Sequence, residues 1–477
     1  MNTLVASAIC AFGIAGLFYL DREKAPRVSW ALWLPGIWIG IVGSRPVSQW
    51  FGMQQAGNLG LDGSPFDAAV FGVVLMISIG VLIRRLGRTR VLLVANWPIL
   101  IYFLFCLVSI MWSTHPDVSF KRWAKAIGDL AMALIIATDK APVAAFRRLV
   151  SRVGMLLLPT SVLFIKYLGD LGRGYTSDGL PMNTGVTTNK NSLGLIVFVI
   201  TLVVLWNIRS LMLHKDASNR GRRLIAQGIL LAFGFVLLVM AQCSTCKACF
   251  VIGTLVVFIL TRRTFTKRPA RAHAVCLAIL LLGGGSLFFG QADVASALGR
   301  QSSLSGRTDI WNAVIPNVPN PIIGAGFESF WNTVNAEKAR NMLVHDAGFS
   351  PLVIGGLQEA HDGYIEIYLQ LGWTGICLIG AVIITGYIRA YKAYRRDPEL
   401  GSLFIAYVLT ATFYSITEAG FRTMNPSWIF LLTAVVGSTS VTAGFLGRKK
   451  GRIAASKIIE LSPETTLPTF WSEPDTV

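Results

Sequence analysis

The chain has 477 residues, of which 53% are hydrophobic and only 14% are charged. A soluble globular protein usually carries about 25% charged residues, and here the apolar residues come in long blocks such as VLLVANWPILIYFLFCLVSIMW at 91–112. This composition excludes an ordinary soluble enzyme. It indicates an integral membrane protein with many spans, since a helix needs about 20 mostly apolar residues to cross a bilayer.

The apolar blocks predict an all-α, polytopic membrane fold with about 12–13 spans. The first span lacks the basic start and the small-residue cleavage site of a signal peptide, so we expect it to be retained. The block 125–139 is the weakest candidate. In chain order, the candidate spans are 2–20, 28–43, 66–83, 91–112, 125–139, 146–168, 192–208, 224–241, 248–261, 273–290, 371–388, 401–417 and 427–446.

The net charge of +18 arises mostly in loops between the apolar blocks. Because cytoplasmic loops carry an excess of Lys and Arg, basic clusters in every second loop predict topology rather than nucleic-acid binding. These clusters hold 29 of the 43 Lys and Arg residues and lie at 22–27, 84–90, 140–152, 209–223, 262–271, 389–396 and 448–452. The expected outer parts are then the N-terminus and 44–65, 113–124, 169–191, 242–247, 291–370 and 418–426, with the C-terminus inside.

Residues 1–447 are expected to form one membrane domain that includes the long outer loop 291–370. A connection of this length is usually functional, and with Trp311 and Trp331 it should fold on the outer face. Residues 448–477 are basic at first and then rich in Pro, Thr and acidic residues. We expect them to form a disordered cytoplasmic tail.

Cys243, Cys246 and Cys249 form a C-x-x-C-x-x-C pattern at a short turn between two spans. The pattern resembles a metal or redox motif, but no second cluster of ligands completes a site. We therefore expect neither metal nor disulfide chemistry here.

Cations outside the basic loops are the candidates for function, because ionisable residues near a membrane are costly and often functional. In TGVTTNKNSLG (184–194), Lys190 and Asn191 stand at the predicted start of a helix. A helix N-terminus offers free N–H donors to an anion. The alternative is a structural role, in which these residues cap the helix and Lys190 extends its charge to the membrane surface.

A second stretch, SLSGRTDIW (303–311), places Arg307 in the outer loop ahead of NPIIGAGFESFW (320–331). Arginine grips phosphate groups with two parallel hydrogen bonds, and the Gly-x-Gly at 324–326 would let the backbone approach a bulky group. The alternative for Arg307 is a salt bridge with Asp309 or another acid.

A third stretch, EAHDGYIEIYLQLGWTG (359–375), contains His361 ahead of Gly372 and Gly375. If 361–388 is one continuous helix, His361 stands about 16 Å above Gly372, at the outer membrane surface, where it could accept a proton near neutral pH. The glycines would let a neighbouring helix pack closely. A structural role for the histidine is the alternative.

Two further outer features are less decisive. Glu418 and Arg422, in TEAGFR, are four residues apart and could form a local ion pair, with structural and functional roles equally open. Arg45, in GSRP, is expected to anchor a helix end.

Together these residues suggest that cations hold a diphosphate while His361 deprotonates an attacking hydroxyl. Arg and Lys can stabilise the departing diphosphate without a metal, and the outer segments contain no evident acidic triad for a divalent ion. We therefore expect neither a metal nor another cofactor.

The same stretches resemble landmarks of the O-antigen ligase and polysaccharide polymerase superfamily. Its motif is His, a small polar residue, nine residues and Gly-x-x-Gly, matched here by His361-Asp362 and Gly372-Trp-Thr-Gly375. The stretches around Lys190 and Arg307 resemble two further landmarks in the right order. GSRPVSQWF (43–51) and SIMWSTHPDVSFKR (109–122) resemble the exopolysaccharide-production branch, and the likeness covers roughly residues 30–440.

The resemblance implies a glycosyltransferase of the bacterial inner membrane whose active site faces the periplasm. Such proteins transfer an undecaprenyl-diphosphate-linked saccharide to an acceptor hydroxyl, with other polysaccharide assembly proteins as further partners. It implies that Arg307 binds the diphosphate, that His361 acts as general base or positions the acceptor, and that Lys190 supplies a second cation. Asp362 stands where Asn, Ser or Gln is usual, so it could orient His361 or alter acceptor choice. Asn191, Glu418 and Arg422 complete the predicted substrate-binding set.

The likeness to the exopolysaccharide branch favours a polymerase, for which the acceptor is another lipid-linked repeat. A ligase would use lipid A-core or a protein instead. A flippase or exporter of the same glycan would need a cavity lined by charges within the spans, and a non-catalytic scaffold would tolerate loss of Arg307 and His361.

Overall fold

The computed structural model describes residues 2–23, 26–53, 64–176, 179–217, 219–289 and 305–443. The predicted tail, 448–477, and the start of the predicted outer loop, 291–304, lie outside these residues. The α-helices are α1 (Thr3–Leu20), α2 (Trp33–Val42), α3 (Val47–Trp50), α4 (Pro65–Arg84), α5 (Leu86–Ala95), α6 (Trp97–Val108), α7 (Pro116–Ala137), α8 (Pro142–Tyr167), α9 (Gly169–Gly172), α10 (Lys190–Leu213), α11 (Arg220–Met240), α12 (Ser244–Leu260), α13 (Arg263–Lys267), α14 (Arg271–Phe289), α15 (Ser305–Val314), α16 (Val334–His345), α17 (Pro351–Gly355), α18 (Gly363–Arg396), α19 (Pro398–Tyr414) and α20 (Pro426–Thr442). A short antiparallel hairpin of β1 (Arg173–Tyr175) and β2 (Pro181–Asn183) interrupts them.

The all-α, polytopic fold is confirmed, and every predicted span overlaps a helix or a bent pair of helices. Within the described residues, six helices are long and apolar enough to cross a membrane alone, namely α1, α4, α8, α10, α11 and α18. A seventh span is counted if α5 and the helical stretch 97–112 are taken together, although they meet at 87°. The remaining predicted spans are shorter helices or, in α7, a helix with charged residues near its start.

Segments predicted to lie outside meet at one end of the helix bundle, called here the loop end. The Asn183 amide donates to the carbonyl of Met240 over 3.0 Å. The hydroxyls of Thr245 and Thr417 lie 2.9 Å apart. These contacts join three connections that are far apart in the sequence.

Segments predicted to lie inside meet at the opposite end, called here the basic end. Glu23 forms ion pairs with three arginines. Its carboxylate lies 3.5 Å from Arg147, 3.4 Å from Arg148 and 3.1 Å from Arg223. The basic clusters therefore gather away from the loop end, which agrees with the alternation predicted from charge.

The centre of the bundle is formed by α19 and α20, whose residues are nearly all buried. A helix that is apolar on every side lies in a protein core or in the membrane, and the burial of α19 and α20 places both in the core. Their connection, 415–425, therefore emerges in the middle of the loop end.

The described part of the long connection, 305–362, folds on the loop end with an apolar core of its own. Val314, Phe330 and Leu343 are at most 1% exposed and pack in this small core with Trp331. The expectation that this segment is folded is therefore confirmed for residues 305–362.

The expectation of one continuous helix over 361–388 is wrong. α18 begins at Gly363, and Gly372 breaks it with φ 62° and ψ −161°. His361 lies before the helix and does not project from it. Asp362 is the N-cap of α18, and its side chain accepts from the N–H groups of Tyr364 and Ile365 at 2.8 Å.

Gly372 and Gly324 allow a backbone contact that differs from the contacts predicted for them. A Cβ on Gly372 would lie 2.3 Å from the carbonyl carbon of Ile322, and one on Gly324 would lie 2.3 Å from that of Gln370. Backbone hydrogen bonds join the two segments here, including one from the N–H of Trp373 to the carbonyl of Pro321 at 2.9 Å. Both glycines therefore let the outer segment dock directly on the backbone of α18.

The cysteine pattern also differs from expectation, because Cys243 and Cys246 form a disulfide. Cys243 is the N-cap of α12, and this brings its Cα to 5.3 Å from that of Cys246, within the range that a disulfide spans. Gly194 of α10 leaves room for the bridge, since a Cβ there would lie 2.7 Å from the Cβ of Cys243. Cys249 remains a free, buried thiol.

Candidate functional site

A cavity of about 470 Å³ opens at the loop end, above the connection between α19 and α20. Four separate parts of the chain form its walls: the β1–β2 hairpin, the start of α10, the turn before α18 and the 415–425 connection. Its polar lining includes Lys190, Asn191, Glu359, His361, Glu418 and Arg422. Five of the seven predicted site residues therefore meet at this cavity, although they span more than 230 positions of sequence.

His361 is placed by a tight turn rather than by a helix. Its φ of 52° lies in the left-handed region, which costs a residue with a Cβ roughly 1–2 kcal/mol. The Asp362 cap and a 2.6 Å hydrogen bond from Gly363 N–H to the carbonyl of Ser415 hold this conformation. The turn is thus fastened both to α18 and to the 415–425 connection.

Two carboxylates lie against the His361 ring. Nδ1 is 3.0 Å from Oε1 of Glu359 and 3.8 Å from Oε2 of Glu418. Burial alone would lower the pKa of His361, but these two carboxylates more than offset it and raise the pKa to about 9. In the unliganded site His361 is therefore mainly an imidazolium at neutral pH.

Glu418 is the point where the site residues converge. Its side chain is 8% exposed and accepts hydrogen bonds from Arg307 at 3.1 Å and from Asn191 at 3.2 Å. Arg307 also donates to the carbonyl of Thr417 at 2.7 Å. The pairing of Arg307 is therefore with Glu418 rather than Asp309, and Arg307 supports the cavity without being among its lining residues.

The predicted local pair between Glu418 and Arg422 is wrong. α19 ends at Tyr414, so residues 417–422 are turns and not the helix that a four-residue pairing requires. Arg422 instead lies 3.7 Å from Glu328 and 3.5 Å from Glu359. Burial would lower the pKa of Arg422, but the surrounding carboxylates raise it above its ordinary value, so Arg422 is a fixed cation.

Lys190 and Asn191 begin α10, as predicted. The N-cap itself is Asn189, whose side chain accepts from the N–H of Ser192 at 2.8 Å. The cap is therefore made by Asn189, while Lys190 lines the cavity and Asn191 bonds to Glu418.

Asp362 has a structural position. It is 8% exposed, and burial raises its pKa to about 6, although the N–H groups of Ile365 and Tyr364 oppose this rise. Its carboxylate is engaged by the helix cap, and the carboxylates that flank the His361 ring are those of Glu359 and Glu418. Arg45, expected to anchor a helix end, donates to the carbonyl of Thr187 at 3.2 Å and so ties α2 to the start of α10.

Sequence reasoning missed Glu359 and Glu328. Glu359 stands two residues before His361, and this closeness in sequence was the available signal. Glu328 gave no such signal, because its contact with Arg422 joins positions 94 residues apart.

The ligand atoms of Glu359, His361 and Glu418 lie within 4.8 Å of one another, a spacing that a divalent metal ion could bridge. Both carboxylates already face arginines, Arg422 and Arg307. Since an added dication would be repelled by these guanidinium groups, the arrangement favours an ion-pair cluster over a metal site. The absence of a metal stays a prediction.

The profile of a protein family described as O-antigen ligase matches residues 228–380, which include Arg307 and His361. The exopolysaccharide production protein ExoQ of Rhizobium meliloti (strain 1021) is 24% identical over 322 residues, which are 64% of this chain and 68% of the relative. Together with the polytopic helical fold, these matches support a multi-pass membrane protein that is similar to the O-antigen ligase and polysaccharide polymerase superfamily.

Proposed function

We propose that this protein polymerises an exopolysaccharide or O-antigen by transferring a glycan from undecaprenyl diphosphate to the hydroxyl of another lipid-linked repeat. The reaction takes place in the bacterial inner membrane, with the cavity facing the periplasm. The name of the ExoQ relative supports exopolysaccharide production, and the family supports a lipid-linked donor and a saccharide acceptor.

The proposal rests on one observation. Lys190, His361 and Arg422 line the same cavity, and Arg307 lies directly behind Glu418. These groups come from four separate stretches at the end of the bundle opposite the basic loops. Excess cations mark the cytoplasmic side of a membrane protein, which supports a periplasmic position for the cavity.

In the proposed reaction, the acceptor oxygen attacks the anomeric carbon of the donor sugar. The bond from this carbon to the diphosphate oxygen breaks, and the lipid diphosphate leaves with the electron pair. Lys190 and Arg422 line the cavity and stabilise the developing negative charge. Arg307 lies behind the lining and donates to Thr417 and Glu418, so it acts on the diphosphate through its charge. His361 accepts the proton of the attacking hydroxyl.

The test uses purified protein, an undecaprenyl-diphosphate-linked glycan and an acceptor, and measures release of undecaprenyl diphosphate. We expect His361→Ala and Arg307→Ala to lower the release rate by about 10²-fold or more, the usual scale for a general base or a charge-stabilising group. His345→Ala and Lys338→Ala are matched controls on exposed positions of the same outer segment. Unchanged release by the first two variants would refute the catalytic assignment and favour a scaffold.

Polymerase and ligase are separated by the glycan of a cell that lacks this protein. A polymerase predicts products with a single repeat, whereas a ligase, transferring to lipid A-core or protein, predicts long unattached chains. A flippase predicts that the donor stays on the cytoplasmic leaflet and that purified protein releases no lipid diphosphate.

A further inference from the structure

The two nitrogens of His361 have different surroundings. Nδ1 is inaccessible to solvent and lies within ion-pair distance of the carboxylates of Glu359 and Glu418, neither of which is aligned with it for a hydrogen bond. The side chain as a whole is nevertheless 30% exposed and lines the cavity. The exposed edge is therefore the opposite edge of the ring, which carries Nε2.

The carboxylates on the Nδ1 side are themselves held from other elements. Glu359 is fixed by Arg422, at 3.5 Å, from the 415–425 connection. Glu418 is fixed by Arg307, at 3.1 Å, from α15. Because each carboxylate is braced by an arginine, turning the ring would break its contacts with two fixed carboxylates.

Glu359 is the closer of the two carboxylates and the more exposed, since 36% of its side chain is accessible compared with 8% for Glu418. Glu418 already accepts from Arg307 and Asn191 through the same oxygen, Oε1. Glu359 is therefore the main partner of Nδ1, and Glu418 is a second, weaker one.

We propose that Glu359 is a positioning residue that holds His361 through Nδ1, so that Nε2 faces the cavity and takes the proton from the acceptor hydroxyl. This inference rests on the proposed transferase function. In the step, the O–H bond of the acceptor breaks and its proton passes to Nε2. The freed oxygen pair forms the new bond to the anomeric carbon, and the diphosphate lipid leaves with the electrons of the old bond. Glu359 itself takes no proton, and its role in the step is to hold the ring.

The arrangement predicts a characteristic pH dependence. With a pKa of about 9, only about one molecule in a hundred holds a neutral His361 at pH 7. A base acts when it is unprotonated, so the rate should rise as pH rises through the folded pKa. The charged groups facing the ring are Glu359 and Glu418, which raise the pKa, while Arg307, Arg422 and Lys190 lie around them.

Neutralising Glu359 should therefore move the rising limb to lower pH, because burial and the remaining carboxylate then set the pKa. We expect Glu359→Gln to shift the midpoint of kcat/KM by at least one pH unit towards acid and to lower the plateau about 10-fold or more. Glu359→Asp keeps the charge and should keep a midpoint near that of the unaltered protein. Glu337→Gln, at an exposed position of α16, is the matched control.

The measurement is the pH profile of undecaprenyl diphosphate release from pH 6 to 10 for all four proteins. If Glu359→Gln only scales the profile, or leaves it unchanged, the inference is overturned while the proposed function stands. If the unaltered protein releases no lipid diphosphate at any pH, the proposed function fails instead. Should Glu359→Gln not fold, titration of ring-labelled His361 by NMR in Glu359→Asp and in unaltered protein decides, since a midpoint below pH 7.5 in the latter would contradict the carboxylate pairing.

Discussion

Replacing Gly372 by alanine should loosen the outer segment from α18. Gly372 has φ 62°, and its Cβ would lie 2.3 Å from the backbone of Ile322, which cannot move aside as a flexible side chain can. Its ψ is −161°, and this combination of angles, which essentially only glycine adopts, costs alanine of order 1–3 kcal/mol. The hydrogen bonds from Trp373 and Thr374 to the segment, 2.9 and 3.0 Å long, contribute about 1 kcal/mol each.

These terms sum to about 3–5 kcal/mol, so the undocked form of the segment should become about 10²- to 10⁴-fold more populated. Hydrogen exchange at Trp373 and Thr374 and limited proteolysis of residues 305–362 measure this population in detergent. Gly380→Ala is the matched control, because Gly380 lies on the same helix with no atom within 4 Å of an added Cβ. Equal exchange and cleavage rates in the two variants would refute the docking argument, whereas we expect faster rates for Gly372→Ala alone.

Three further outcomes are expected. Alkylation under non-reducing conditions should spare Cys243 and Cys246 and modify them after reduction, and alkylation of both before reduction would contradict the disulfide. A membrane-impermeant thiol reagent applied to intact spheroplasts should label Lys338→Cys at the loop end and spare Lys215→Cys at the basic end, and the reverse pattern would invert the proposed orientation. Release of undecaprenyl diphosphate should persist in excess EDTA, and a loss that only a divalent ion restores would show that the cluster around Glu418 holds a metal.

Hydrophobicity alone located the helices, because burial in lipid or in other helices demands long apolar blocks wherever the chain crosses. The grouping of outer segments also followed from local information, since each basic cluster reports the side of its own loop. Lys190, His361 and Arg422 could therefore be assigned to one end of the bundle before any contact was known.

The sequence could not predict which residues contact one another. The partners of Glu418 come from α10, α15 and the turn at His361, and no periodic pattern links such distant positions. The break at Gly372 was also hidden, because glycine is common in membrane helices and reveals its backbone angle only when the docking partner is known. The paired cysteines were misjudged because their geometry depends on where α12 begins.

The break at Gly372 divides α18 into two parts with different surroundings. Its first two turns belong to the outer segment and hold His361, while the part after Gly372 runs to the basic end among the lipid-facing helices. Helices adapt to bilayers of different thickness mainly by changing tilt. Because Trp373 and Thr374, directly after the break, donate to the carbonyls of Pro321 and Ile322, the upper end of the membrane-embedded length is held at the outer segment, and its tilt is set by that docking as well as by the lipid.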